Sequence, residues 1–174
     1  TLSVHSGEFN DQHGAVMPPI YATSTFAQPS PGEHTGYEYS RSGNPTRHAL
    51  ETAIAALESG TRGYAFASGL AAIATVLELL DKDSHIVAID DVYGGTYRLF
   101  ENVRKRSTGL QVSWVKPGDV AALEAAIRPD TRMVWVETPT NPLLKLADLA
   151  AIADIARRHR LISVADNTFA SPVI

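Results

Sequence analysis

Four short segments carry the side chains with the most chemistry to offer: "ASGLAA" (67–72), "DVYGGTYR" (91–98), "ETPTNP" (137–142) and "VADNTF" (164–169). In the first, Ser68 and Gly69 stand where an extended stretch turns into a helix. The first helical amides are then free and a hydroxyl lies beside them, which makes either an anion site or an ordinary serine N-cap. In the second, Tyr93 precedes a glycine pair that lets other atoms come close. Its ring can stack on a flat ligand and its phenol can move a proton; a tyrosine capping the sheet edge is the plainer alternative. In the third, Thr138-Pro139 and Asn141-Pro142 restrict the backbone. A stiffly held Asn141 amide suits recognition of a ligand oxygen, although a proline-rich turn accounts for the pattern too. In the fourth, Asp166 ends an apolar run, where a carboxylate is costly unless paired. A cationic ring nitrogen is a suitable partner, since the carboxylate keeps that nitrogen protonated; an N-cap or turn aspartate is the alternative.

A fifth segment, "GYEYSRSGNPTRHALE" (36–51), places Tyr39 and Arg41 in a stretch too polar to be core, one step before a helix start. Asp90 and Asp91 resemble a catalytic carboxylate pair. Adjacent residues at an extended strand end point to opposite faces, so a solvated turn is expected for both. The six histidines show no ligand spacing with carboxylates, and no metal is expected. Neither a G-x-G-x-x-G after a strand nor a G-x-x-x-x-G-K-[ST] occurs, and the G-x-S-x-G elbow of α/β hydrolases is missing as well.

These segments need a scaffold, and the rest of the chain supplies one. Asn44 is a good N-cap and Pro45 a good first residue for a helix over 45–59 that stops at Gly60, with Leu50, Ile54 and Leu57 on one face. Strands are expected at 63–67, 85–89, 111–115, 133–137 and 161–165. Helices are expected between them, at 69–80, 95–106, 119–127 and 147–159. Alternation of this kind marks βα units around a mostly parallel sheet, and short, nearly all-apolar strands imply a sheet covered on both faces. Ligands in such folds bind beyond the carboxyl ends of the strands, where all four segments fall. Residues 1–43 are instead rich in Pro, Gly, Ser, Thr and Tyr and read as an extended arm, leaving 44–174 as the α/β domain.

The chain has 174 residues, 44% hydrophobic and 20% charged, with a net charge of −4 and no cysteine. That describes a globular protein with apolar mass for a core, without a basic stripe for nucleic acid or anionic lipid and without a disulfide framework or thiolate nucleophile. The Arg104-Lys105-Arg106 run fits a helix end. The start, TLSVHSGEF, does not read as a signal peptide, and a cytoplasmic location is expected.

Taken in order, "YSRSGNPTR", "ASGLAA", "DVYGGTYRLF", "ETPTNP" and "VADNTFASP" resemble the cystathionine γ-lyase and γ-synthase family, from "TLSVHSGE" to "SPVI". These are pyridoxal 5'-phosphate enzymes of sulfur amino acid metabolism with the aspartate-aminotransferase fold (fold type I). The resemblance implies that Tyr39 and Arg41 bind the cofactor phosphate in a neighbouring subunit's site, the arginine through its planar fork. It implies that Ser68, Gly69 and Leu70 hold the same phosphate from the resident subunit. Tyr93 would stack on the ring and serve as the catalytic proton carrier, Asn141 would sit near the ring hydroxyl, Asp166 would pair with the ring nitrogen, and Thr168 would lie near the cofactor. Glu38 and Arg98 would contact the amino acid substrate. A dimer at least, and a tetramer by family expectation, would follow. In that family the cofactor-bearing lysine and a C-terminal domain come after the "DNTF" strand, so the chain is expected to be the front part of a longer enzyme. The implied reaction is α,γ-elimination of cystathionine to cysteine, 2-oxobutanoate and ammonia. Cystathionine γ-synthase, methionine γ-lyase and a non-catalytic phosphate-ligand binding module are the alternatives, the second weakened because Gly95 stands where a cysteine is expected.

Overall fold

A computed structural model describes residues 2–6 and 13–172. The chain forms two compact units, one ending at Phe66 and one spanning Ala67–Pro172.

In the first unit a short helix, α1 (Leu2–His5), is followed by irregular chain and then by α2 (Pro45–Leu57). Asn44 caps α2 by accepting the Thr46 amide at 2.9 Å, and Pro45 occupies the first turn, where its missing N–H costs nothing. The helix ends at Leu57, two residues short of the expected 59, and Ser59 just beyond it takes a left-handed φ of +54°. Leu50 and Ile54 stay 54% and 41% exposed. The arm folds back on itself: Thr25 and Tyr39 form an antiparallel bridge, tied by Phe26 N to Glu38 O (3.0 Å) and Ser40 N to Ser24 O (2.8 Å).

Residues 63–67 are not a strand, contrary to expectation. A strand needs a neighbour with unpaired backbone groups, and this stretch is held by α2 instead. The Ala65 amide donates to Glu51 Oε1 at 3.0 Å. Gly63 lies so close to the Glu51 carbonyl that an added Cβ would come within 2.2 Å of its oxygen.

The second unit is built on a parallel sheet of four strands, not five: β1 (His85–Ile89), β2 (Gln111–Val115), β3 (Thr131–Glu137) and β4 (Ile162–Asp166), in the spatial order β2-β1-β3-β4. Helix α3 (Gly69–Val76) precedes β1. α4 (Gly94–Arg98), a wider π turn (Leu99–Arg104) and α5 (Lys105–Thr108) link β1 to β2. α6 (Val120–Ala125) links β2 to β3, and α7 (Leu149–Arg158) links β3 to β4. Asp119 and Asp148 cap the last two helices by accepting the amides of Ala122 (2.9 Å) and Ala151 (3.0 Å). The basic run near 104–106 does sit in the last turns of the β1–β2 connection, which ends on Gly109 at φ +72°.

The central strands carry the core. β1 is buried along its whole length, and Met133, Val134, Trp135 and Val136 of β3 are at most 2% exposed. Phe100, Leu123, Ile152 and Ile155 pack onto the two faces from the connecting helices. Each such side chain contributes about 1.5–3 kcal/mol by leaving water. The edge strand β2 is only half-buried, and β4 is more exposed still. Among the described residues no helix is long and apolar enough to cross a membrane.

Candidate functional site

The sheet order decides where a site can form. From β1 the chain moves outward to β2, then returns to β3 on the other side of β1, so the connections leave β1 and β3 in opposite directions. The crevice between their carboxyl ends is the place where open α/β sheets bind ligands. A cavity of about 320 Å³ opens there, within the size range of small-molecule sites. It is lined by Ser68, Gly69, Leu70, Tyr93, Asn141, Asp166 and Thr168, and also by Glu137 and the apolar Ile73, Pro139 and Phe169. Seven residues singled out from sequence thus meet around one space, drawn from four loops that are up to 100 positions apart.

The start of α3 forms part of the lining. Ser68 caps the helix by accepting the Ala71 amide at 3.1 Å, and its carbonyl accepts from Ala72. The amides of Gly69 and Leu70 donate to nothing among the described residues, so the cap reading and the anion-site reading of Ser68 are both compatible with this geometry. Asp166, also in the lining, closes β4. Its Oδ1 accepts from the Thr168 hydroxyl at 2.6 Å and the Thr168 amide at 3.2 Å. Its Oδ2 has no partner among the described residues. Tyr93 stands before α4 and is 45% exposed. Gly95 makes room for the ring, since a Cβ there would lie 2.3 Å from Tyr93 Cε1. The side-chain amide of Asn141 is unpaired among the described residues, whereas its backbone N–H is held firmly.

Glu137 is the residue that sequence reasoning passed over. It is 4% exposed, at the last position of β3 and in register with Asp166 of β4. Its Oε2 accepts the Tyr93 amide and its Oε1 the Asn141 amide, both at 2.8 Å. Burial pushes its carboxyl above the ordinary glutamate range, the Tyr93 and Asn141 amides pull it back, and the charges of Asp166 and Asp91 add to the upward push. A charged residue ending the apolar run MVWVE was the available signal.

The expectation of a solvated Asp90-Asp91 turn needs correction. Asp90 is exposed, but Asp91 is 8% exposed and Thr140 is fully buried. The Thr140 hydroxyl donates to Asp91 Oδ2 at 2.5 Å, with Lys145 Nζ 4.0 Å away. Opposite-facing side chains were the right inference; in the folded chain one of those faces is interior.

Tyr39 and Arg41 belong to the first compact unit, where they form a pair. Arg41 Nη2 lies 3.2 Å from the Tyr39 hydroxyl and the guanidinium 5.4 Å from the ring centroid. Tyr39 is 38% exposed and Arg41 is exposed too. Glu38 is exposed in the same unit, and Arg98 is exposed on α4, outside the lining of the cavity.

The donors and acceptors left over in this cavity fit a flat, nitrogen-containing ring that carries a phosphate. Two amides at a helix start suit the anion, an unpartnered carboxylate oxygen suits a ring nitrogen, and Tyr93 offers an aromatic ring for stacking. Residues 1–174 match the family described as Cys/Met metabolism PLP-dependent enzyme. The chain belongs to that family, whose cofactor is pyridoxal phosphate. It is 59% identical to a cystathionine β-lyase of Coxiella burnetii over 175 residues, covering 100% of this chain and 45% of the relative. It is 52% identical to a probable cystathionine γ-synthase of Herpetosiphon aurantiacus, covering 99% and 54% respectively. The crystal structure of cystathionine γ-lyase from Lactobacillus plantarum complexed with L-serine superposes with a TM-score of 0.92 at 52% identity, over 98% of this chain and 45% of that one. The chain spans about half the length of the curated relatives it matches. The fold expected from sequence, a parallel sheet flanked by helices in the manner of these enzymes, is the fold present.

Proposed function

We propose that the intact protein is a pyridoxal-phosphate-dependent carbon–sulfur lyase that acts on cystathionine by α,γ-elimination, giving cysteine, 2-oxobutanoate and ammonia. The observation that carries this reading is the pairing, across one cavity, of free amides at Gly69 and Leu70 with the unpartnered Oδ2 of Asp166. When bound, pyridoxal phosphate supplies the electron sink that lets a proton leave the carbon beside the substrate's amino group.

The chain's own residues then have distinct tasks. The Gly69 and Leu70 amides and the α3 dipole hold the phosphate, with the Ser68 hydroxyl beside them. Asp166 holds the ring nitrogen in its protonated form, and Thr168, by donating to Oδ1, leaves Oδ2 for that contact. Asn141 recognises the ring oxygen through its side-chain amide. Tyr93 stacks on the ring, and its phenol carries a proton between substrate and solvent. Tyr39 and Arg41 serve the phosphate of a second copy of the chain, which makes the protein a dimer at least and fits a tetramer. Glu38 and Arg98 contact the amino acid substrate.

A second reading rests on the 59% identity with a β-lyase. Breaking the bond on the other side of the same sulfur would release homocysteine, pyruvate and ammonia instead. Incubating the intact, cofactor-loaded protein with cystathionine and identifying the keto acid tests both. The four-carbon acid supports γ-elimination, the three-carbon acid supports the β-lyase reading, and release of neither keto acid removes both.

A further inference from the structure

We propose that Glu137 and Asp91 are positioning residues that lock the β1 and β3 exit loops together and so set Tyr93 and Asn141 against the cofactor. The proposal rests on the assignment of the cavity to pyridoxal phosphate.

The two loops would otherwise have little reason to keep register. Each leaves a strand end and runs in the opposite direction, and Tyr93 stands outside the helical segment that follows it, at a cap position with no side-chain cap bond. Two buried cross-links hold them. The first starts from the β3 side: Glu137 reaches the Tyr93 amide with one oxygen and the Asn141 amide with the other, both at 2.8 Å. The second starts from the β1 side: Asp91 Oδ2 receives the Thr140 hydroxyl at 2.5 Å. Thr140 is itself committed, since its Oγ1 accepts the Lys145 amide at 2.9 Å and its own amide donates to the Lys145 carbonyl at 3.0 Å. The 140–145 loop is therefore closed on itself and fastened to Asp91.

The arrangement is specific to positioning because of what is bonded. Glu137 spends both oxygens on the backbone of two residues whose side chains remain uncommitted toward the cavity. A carboxylate has two acceptors and no donor, so it can hold two N–H groups at once. An amide side chain can hold only one and turns its NH₂ against the other. Burying an acid also costs stability unless something is gained, and here the gain is a fixed spacing between Tyr93 and Asn141.

The test compares the intact wild-type protein with Glu137→Gln, Glu137→Ala and Thr140→Val. Cofactor dissociation, the absorbance of the bound cofactor across pH, kcat and KM, and the thermal midpoint of the cofactor-free protein are measured for each. Glu137→Gln is expected to weaken cofactor binding about tenfold and to lower kcat by a similar factor with KM little changed, as loss of one bond to a charged group implies. Its bound absorbance should shift while the cofactor-free midpoint stays near wild type, and Glu137→Ala should be worse. Thr140→Val removes the Asp91 cross-link together with the acceptor of the Lys145 amide, leaves both Glu137 bonds in place, and should give a smaller shift of the same kind, which keeps the proposal testable should the Glu137 variants fold poorly. Variants that melt earlier but bind cofactor with unchanged affinity, absorbance and kcat would reduce both residues to structural supports and overturn the proposal. A wild-type protein that takes up no pyridoxal phosphate would remove the cavity assignment, and this inference with it.

Discussion

The two ends of the sheet bury polar groups in different ways. At the amino end His85, fully buried on β1, bridges its neighbours: Nδ1 lies 2.7 Å from Thr131 Oγ1 on β3 and Nε2 lies 2.9 Å from Ser113 Oγ on β2. Thr131 Oγ1 also accepts the Arg128 amide at 2.8 Å, which leaves its own proton to donate to Nδ1. We assign the neutral tautomer protonated on Nε2, donating to Ser113. Every atom in this cluster has a partner. At the carboxyl end, both oxygens of Glu137 are bonded and Asp91 Oδ2 is held by Thr140, yet atoms around them are left over: the Gly69 and Leu70 amides, Asp166 Oδ2 and the Asn141 amide. Burial with complete pairing makes a staple. Burial that stiffens a rim while leaving unpaired atoms on it makes a binding site.

That contrast can be broken by substitution. The largest effect is expected at the open end. Asp166→Ala should lower cofactor affinity and keto-acid release by about a hundredfold, since a charge-assisted contact worth ~3 kcal/mol is lost, while stability changes little. Equal cofactor uptake by variant and wild type in a titration would contradict the role given to Asp166. At the closed end, His85→Leu strands the Thr131 and Ser113 hydroxyls and should cost about 2 kcal/mol in urea unfolding, with cofactor affinity unchanged. If affinity fell instead, the two ends would not be independent.

Gly95→Ala sharpens the contrast further. The new methyl would meet the Tyr93 ring at 2.3 Å and force it to turn, whereas alanine favours the helix by up to about 1 kcal/mol. Activity should fall about tenfold, the scale expected for a misplaced catalytic group, without loss of thermal stability. An active variant with an unmoved ring would show that the gap beside Tyr93 is incidental.

The smallest effect is the pH dependence, and the two ends contribute with opposite sign. Burial pushes the His85 pKa down, the Arg128 charge lowers it further, and Asp130 partly offsets both. The unfolded chain therefore binds a proton that the folded chain refuses. This contribution is complete above the ordinary histidine value of 6.5 and is lost as pH falls through the lower folded value. Glu137 is held above its ordinary 4.5, so its contribution is complete below that value and is lost as pH rises through the higher folded one. Unfolding free energy measured across pH should therefore rise through the weakly acid range for His85. His85→Leu should flatten that rise, and Glu137→Gln should remove the opposing decline that begins above 4.5; identical pH profiles for all three proteins would refute both assignments.

Much of the site could be read from local chemistry. Ser68 before Gly69, Tyr93 before a glycine pair, Asn141 between prolines and Asp166 after an apolar run are each signals written within a few residues. Their order along the chain also sufficed for the family resemblance. The misses share one cause. Residues 63–67 look like a strand, but strand formation depends on a neighbour elsewhere in the chain. Asp91 looks like a solvated turn residue, but Thr140, 49 positions away, buries it. Glu137 looks like the polar end of a strand, and its second amide partner, Tyr93, lies 44 positions away.

By itself the sequence determined the alternation of strands and helices, their caps, and which loops could bear chemistry, because hydrophobic periodicity and capping act over a single turn or strand. Tertiary structure alone decided which of those loops share one cavity, which carboxylates leave water, and which of their oxygens stay free. Those outcomes depend on sheet order and on hydrogen bonds closed between segments that are remote in the chain, and no local pattern encodes where such partners will meet.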